Sequence, residues 1–298
     1  MLSHFTELRA SASLLAGLIL LACGSTSSAQ EPSSSVEFAQ RPAEVGDRVV
    51  QDLEIQLELN TTITQAGQIA SQDQQLVRRR QERLIEVEQV VEGRVQRAQV
   101  AFRLSREQSP KNDDPTELAT QPVEGKIYFV TRDNDRMLVT DPQGAIPPEP
   151  EYEIVINNLK TLGQHNPLAK FLVGCRIAVG EQLQLPREIA EELLGFGDQL
   201  GRVEKFQLEL MEVKPIDDQP CAIFRATIAS QGRQDGQMQI NVSGTLTVQT
   251  TTCRTVGAEL TGPLKLSAIE RTPGGSFQYD AAGDLRIGVH SRYSKTLK

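Results

Sequence analysis

Tryptophan is absent from this chain of 298 residues, aromatics make up 4%, and there are three histidines, one of them His4. So few aromatics leave no stacking platform for nucleic-acid bases. The charge balance agrees: 31 basic residues against 39 acidic ones give a net charge of −8, with no basic excess to neutralise phosphates. Histidine-based metal sites and triads have little material to draw on. Gly-x-x-x-x-Gly-Lys and Gly-x-Gly-x-x-Gly phosphate loops do not occur, nor does a Gly-x-Ser-x-Gly elbow or Ser-x-x-Lys. Four cysteines are present, without a Cys-x-x-Cys pair, so neither a zinc knuckle nor a thioredoxin-type redox motif is supported.

What is present begins with an export leader. Leu14 to Ala22 is apolar and follows Arg9. At 1.5 Å per residue such a run is about 14 Å long, too short for a hydrocarbon core of about 30 Å. It fits the apolar region of a secretory signal over residues 1–29. Two endings remain open. Ser27-Ser28-Ala29 before Gln30 suits plain cleavage, whereas Leu20-Leu21-Ala22-Cys23 reads as a lipoprotein box in which a lipidated Cys23 tethers the protein to a membrane. Either ending predicts a protein of the periplasm, cell envelope or exterior. In an oxidising compartment two of Cys175, Cys221 and Cys253 can pair, leaving one thiol over.

Residues 30–46, rich in Ser, Glu, Pro and Gln, read as a flexible tether. One β-rich domain is expected over 47–298: hairpins over 47–145, a helical segment over 149–195 and a meander over 204–293. Leu53, Ile55, Leu57 and Leu59 alternate with Glu54, Gln56 and Glu58, the period-2 pattern of a strand with one dry face. Residues 65–92 stay open between two readings. A hairpin centred on Glu92-Gly93 is favoured by the alternation of Ala98, Val100 and Phe102 beyond it; a helix over 69–91 is the alternative. Short helices are expected at 151–162, after Asn166-Pro167, and at 187–194. The closing segment is predicted to break at Gly262-Pro263 and to turn at Asp280-Ala281-Ala282-Gly283. The fold class is therefore mainly β (α+β): a long curved antiparallel sheet or half-open barrel with a few short helices packed on it.

This order of leader, polar tether, long alternating strands, central helices and meander resembles the exported half-barrel carriers of the LolA/LppX type. Val91-Glu92-Gly93-Arg94-Val95 and Val179-Gly180-Glu181-Gln182-Leu183-Gln184-Leu185-Pro186 also resemble a family of exported bacterial proteins without an assigned role. The carrier resemblance implies an apolar ligand, such as a lipid, held between sheet and helices; the long insert around 65–92 departs from those carriers.

Chemical candidates are few. His165 reads as a solvated turn residue and His290 as a strand-end residue facing water. Asp133-Asn134-Asp135 lacks the Gly and distal Glu of a calcium loop, and Asp217-Asp218 reads as a turn. Arg78-Arg79-Arg80 reads as a solvated edge or, alternatively, a contact to anionic headgroups. No catalytic residue, metal ligand or cofactor is predicted, and the protein is not expected to be an enzyme. The leading expectation is a structural or interaction module of the cell envelope, with an envelope protein as partner. The alternative is a carrier of an apolar ligand in a half-barrel cavity lined by Leu57, Leu59, Phe224 and Val242.

Overall fold

A computed structural model describes residues 35–108, 117–134, 136–194, 201–232, 238–272 and 275–295. The leader, Cys23 and the Asp135 of the acidic turn lie outside them. Fourteen strands and three helices are described. Eleven strands hydrogen-bond side by side in the order β7 (Arg136–Thr140), β6 (Ile127–Asp133), β4 (Arg94–Gln108), β3 (Gln68–Val91), β2 (Asp47–Gln65), β14 (Gly275–Lys295), β13 (Thr255–Thr272), β12 (Met238–Gln249), β11 (Gln219–Gln231), β10 (Arg202–Ile216) and β9 (Gln182–Gln184), and β5 (Leu118–Thr120) joins the flank of β4, giving a sheet of twelve. Every pairing in it is antiparallel, and the sheet does not close into a barrel.

Length is the sheet's main device. β2 (Asp47–Gln65), β3 (Gln68–Val91), β13 (Thr255–Thr272) and β14 (Gly275–Lys295) span 18 to 24 residues each, several times the usual 5–6. Alternation holds along β2, where Leu53, Ile55, Leu57 and Leu59 are buried while Glu54 and Glu58 are exposed. Between β3 and β4 (Arg94–Gln108) the turn expected at Glu92-Gly93 is present. Both residues have positive φ, 51° and 75°, the geometry of a two-residue turn that matches strand twist.

Residues 68–91 are strand throughout, not helix, and β3 pairs with β2 from Gln68 to Glu86. Its strand signal is hard to read because the buried row contains Arg79, Gln81 and Arg83 as well as Val87. Register shifts near Glu82/Arg83 and Val87/Gln89 further displace the apolar residues from strict alternation. The expected closing turn is also overturned. β14 runs unbroken through 280–283, and β13 runs unbroken through Gly262-Pro263. A Cβ on Gly283 would stand 1.6 Å from the carbonyl oxygen of Glu58, so this glycine marks a close approach of two strands rather than a turn.

The tether reading fails for 35–46. Ser35–Glu37 forms β1 and pairs with β8 (Arg176–Ala178); Phe38 is buried and its ring stacks on Phe224 at 6.1 Å. Apolar Val36 and Phe38 were enough to dock a segment whose average composition is polar. The pairing left open among the cysteines does not occur: no disulfide links Cys175, Cys221 and Cys253.

The helices match the expected positions closely. α1 (Glu149–Leu159) packs Val155 and Leu159 into a cluster with Val100, Phe102, Tyr128, Val130 and Val139 of the β4-β6-β7 end, where β6 is Ile127–Asp133 and β7 is Arg136–Thr140. α2 (Pro167–Leu172) and α3 (Arg187–Leu194) cover a larger cluster on β2 and on the strands from β10 (Arg202–Ile216) to β14. Asn166 caps α2 by accepting from the Leu168 amide at 3.0 Å. Among the described residues no helix is long and apolar enough to cross a membrane.

Candidate ligand cleft

The inner face of the sheet carries a cleft of about 220 Å3 where the helical layer meets the strands. Its floor comes from three adjacent strands. Leu246 of β12 (Met238–Gln249) faces Ala258 of β13, which faces Val289 of β14; in the neighbouring row Leu260 faces Ile287. These are the dry positions of alternating strands, brought side by side by the antiparallel register. The roof is the α1–α2 connection, with Thr161, Gln164, His165, Asn166 and Pro167 at the cleft, and Glu192 of α3. Asn166 pins that connection to the sheet, since its Nδ2 donates to the Cys253 carbonyl at 2.8 Å.

Along β14 the inward row changes from Ile287 and Val289 to Ser291, which is buried and does not line the cleft, and Tyr293, which does; the opposed residue of β2 changes from Leu53 to Gln51. A polar seam continues from there. Gln51 donates to Ser291 Oγ at 3.2 Å, and its Oε1 accepts from Arg83 Nε at 3.0 Å and from Nη2 at 2.5 Å. Arg83 Nη1 reaches α1, donating to the carbonyl and to Oδ1 of Asn158 at 2.8 and 3.0 Å. Arg79 donates to the same Oδ1 at 3.3 Å. Burial, and then the neighbouring Arg79, push the Arg83 guanidinium down to about 10.

Arg254, at the end of the floor, donates to Asp47 Oδ2 at 2.7 Å and lies over the Tyr293 ring at 5.2 Å. Arg41 donates to Oδ1 of the same carboxylate at 2.7 Å. Burial alone would raise the Asp47 carboxyl, but Arg254 and Arg41 outweigh it and hold it below the ordinary aspartate value. Tyr293 donates to the Thr255 carbonyl at 3.0 Å, and burial pushes its phenol up.

Residues singled out from the sequence fall elsewhere. Leu57, Leu59, Phe224 and Val242 are all buried in the larger core cluster, and none of them lines this cleft. Phe38, from the stretch read as a tether, occupies the space beside Phe224. His165 lines the cleft with its Nε2 2.5 Å from Arg94 Nη2. His290 is exposed on the opposite, wet face. There it borders a polar groove of about 420 Å3 with Asp52, Glu54, Glu259 and Arg80 around Gly257 and Gly288. No group of three or more His, Cys, Asp or Glu placed to hold a metal occurs among the described residues.

The Arg78-Arg79-Arg80 run is divided between the faces: Arg79 is buried and Arg80 is exposed. Arg79, Arg83 and Gln51 were missed as site residues because an inward arginine reads, in sequence, as the wet face of a strand. Period 2 is the signal that could have found them, counted from Leu53 and Val87 rather than from the charges.

No family model matches the chain, and no curated protein matches it. Among solved structures, one described as lipid–protein interactions in lipovitellin aligns at 9% identity, covering 86% of this chain and 26% of that one, with a TM-score of 0.35. This chain thus spans about a quarter of the lipovitellin chain. A LolA superfamily protein from Nitrosomonas europaea aligns at 11% identity over 82% of this chain and 86% of that one, TM-score 0.15. The type II secretion system secretin of Escherichia coli K12 aligns at 7% identity over 85% and 50%, TM-score 0.14. At such scores no function passes from those proteins to this chain.

Proposed function

We propose that this chain is an exported binding protein without catalysis, and that it holds a small apolar or amphiphilic ligand in the cleft between sheet and helices. One observation carries the reading: Leu246, Ala258, Leu260, Ile287 and Val289 form an apolar floor that opens to a cleft under a roof pinned by Asn166. Binding sites are typically of this kind, concave and mostly apolar with a few placed polar groups. At about 220 Å3 the cleft is smaller than the roughly 300–1,000 Å3 of drug-sized pockets, which favours a single chain over a multi-chain lipid.

Native mass spectrometry of the protein purified from its own envelope tests the reading. The expected result is a reproducible non-covalent adduct that is lost on denaturation and lost in Val289→Arg. A bare chain that also takes up no added decanol would overturn it.

A second reading, an envelope interaction module, is supported by the edge of β3. β4 pairs with β3 only from Arg79 onward, so among the described residues the edge from Gln68 to Arg78 has no neighbouring strand. An edge that no described strand pairs over that length is a template for another chain.

A further inference from the structure

The cleft's polar end is cationic, although the chain carries a net charge of −8. Arg254 lines it directly, and its carboxylate partner Asp47 also accepts from Arg41; Arg41 pairs with Glu44 as well, at 2.9 Å, and Glu44 in turn engages Lys295, so two carboxylates serve three cations there. Behind Gln51 lies Arg83, 5% exposed, whose hydrogen-bond acceptors on Gln51 and Asn158 are all neutral oxygens. The one carboxylate lining the cleft among the described residues is Glu192, which is engaged by Lys170 at 3.2 Å. Burying a cation without a facing carboxylate costs several kcal/mol. A fold that keeps one there gains most from a ligand that brings the missing charge.

Polarity along the floor gives that ligand a direction. Inward positions of β14 run Ile287, Val289, Ser291, Tyr293. At about 3.4 Å per residue, the apolar and polar ends are roughly 20 Å apart. The row Arg83–Gln51–Ser291 crosses three strands in register and sets the boundary between them.

We propose that the cleft takes a single-chain amphiphile with an anionic head, a carboxylate or phosphate monoester. The head sits against the Arg254 guanidinium and the Gln51 amide in front of Arg83, and the chain lies over Val289 and Ile287. This rests on the ligand-binding reading above and specifies its chemistry. An oxyanion there accepts charge-assisted hydrogen bonds, which are about twice as strong as neutral ones.

Calorimetric titration of the full chain with decanoate, decyl phosphate and decanol, at about pH 7.5 where the carboxylic acid is ionised, separates the possibilities. At least one of the two anions should bind about tenfold or more tightly than decanol, the effect of one hydrogen bond to a charged group. Whether decanoate or decyl phosphate binds better identifies the head. Gln51→Glu places a carboxylate between Arg83 and the head and should abolish the anion preference, read as the ratio of anion to decanol affinity within the variant. Arg254→Gln, which leaves the floor untouched, should reduce the same preference. Equal affinity for anion and alcohol, or a preference unchanged in both variants, would overturn the anionic head and leave the cleft reading standing. Failure of all three compounds to bind would overturn the cleft reading itself.

Discussion

The Phe38 ring stacks on Phe224 with centroids 6.1 Å apart, so a residue of the polar stretch before β2 closes the core over β11 (Gln219–Gln231). Phe38 is 2% exposed, and β1 beside it pairs with β8. Removing a buried phenylalanine side chain leaves a cavity and costs about 3–5 kcal/mol. Phe38→Ala should lose that much in urea unfolding. A loss under about 1 kcal/mol would mean that the segment does not dock as described.

Asp47 joins the same N-terminal stretch to the far end of the sheet through Arg41 and Arg254. Its carboxyl titrates below the ordinary aspartate value in the fold, so its contribution is present above that value and lost as pH falls through the folded one. Stability should therefore decline below about pH 4. Asp47→Asn should be less stable at neutral pH and show a shallower acid decline. Thermal unfolding between neutral and acid pH checks both, and parallel curves for the two proteins would contradict it.

Arg83 and Asn158 form the joint between β3 and α1, with two hydrogen bonds from one guanidinium nitrogen. Asn158→Ala takes Oδ1 away from Arg83 and Arg79 while leaving Arg83 the residue-158 carbonyl and Gln51, and should cost about 1–3 kcal/mol. Arg83→Met removes charge and polar demand together, and buried charges replaced by apolar residues of similar size are often tolerated. The asparagine change should thus be the more damaging of the two. Urea midpoints in the reverse order would show that the joint is not held by Arg83.

How far the sequence reveals this protein depends on which face a residue occupies. Alternation along Leu53 to Leu59, the Glu92-Gly93 turn and the Asn166 cap are local, and all three are readable from neighbours in the chain. Arg79 and Arg83 are not, because their inward placement follows from pairing of β3 with β2 across a sheet 24 residues long on one strand. The cleft is less legible still. Leu246, Leu260 and Val289 are ordinary strand residues until register sets them side by side. Phe38 shows the converse: two apolar residues in a polar stretch carry too little periodicity to announce a docked strand.

Three free thiols differ in burial, and burial pushes the Cys253 thiol up to about 12. Its Sγ is hydrogen-bonded to the Ala39 carbonyl at 3.3 Å. The thiolate is the reactive form, so Cys253 and the buried Cys221, also pushed up by burial, should resist alkylation in the native state. Half-buried Cys175 should react first. Peptide mapping after iodoacetamide, native against urea-unfolded, reads this directly. Early labelling of Cys253 would show that the β12–β13 turn opens.

Edge strands are normally blunted by lysine, proline or a bulge; β3 between Gln68 and Val77 has no lysine or proline, a single charge, Asp73, and one register shift, at Ala70. Ile69 on it is 64% exposed. Strand addition at this edge by a second copy or by another chain would satisfy backbone groups that no described strand pairs on that side. In an antiparallel pair of two copies, like charges on opposed or diagonal positions repel, each pair costing about 0.2–1 kcal/mol. The natural chain should therefore show sedimentation that rises with concentration, and Gln72→Lys combined with Gln74→Lys should suppress it without lowering thermal stability. A natural chain that stays monomeric at high concentration would leave the edge available only to a different partner. A double lysine variant that associates as strongly would place the contact elsewhere on the molecule.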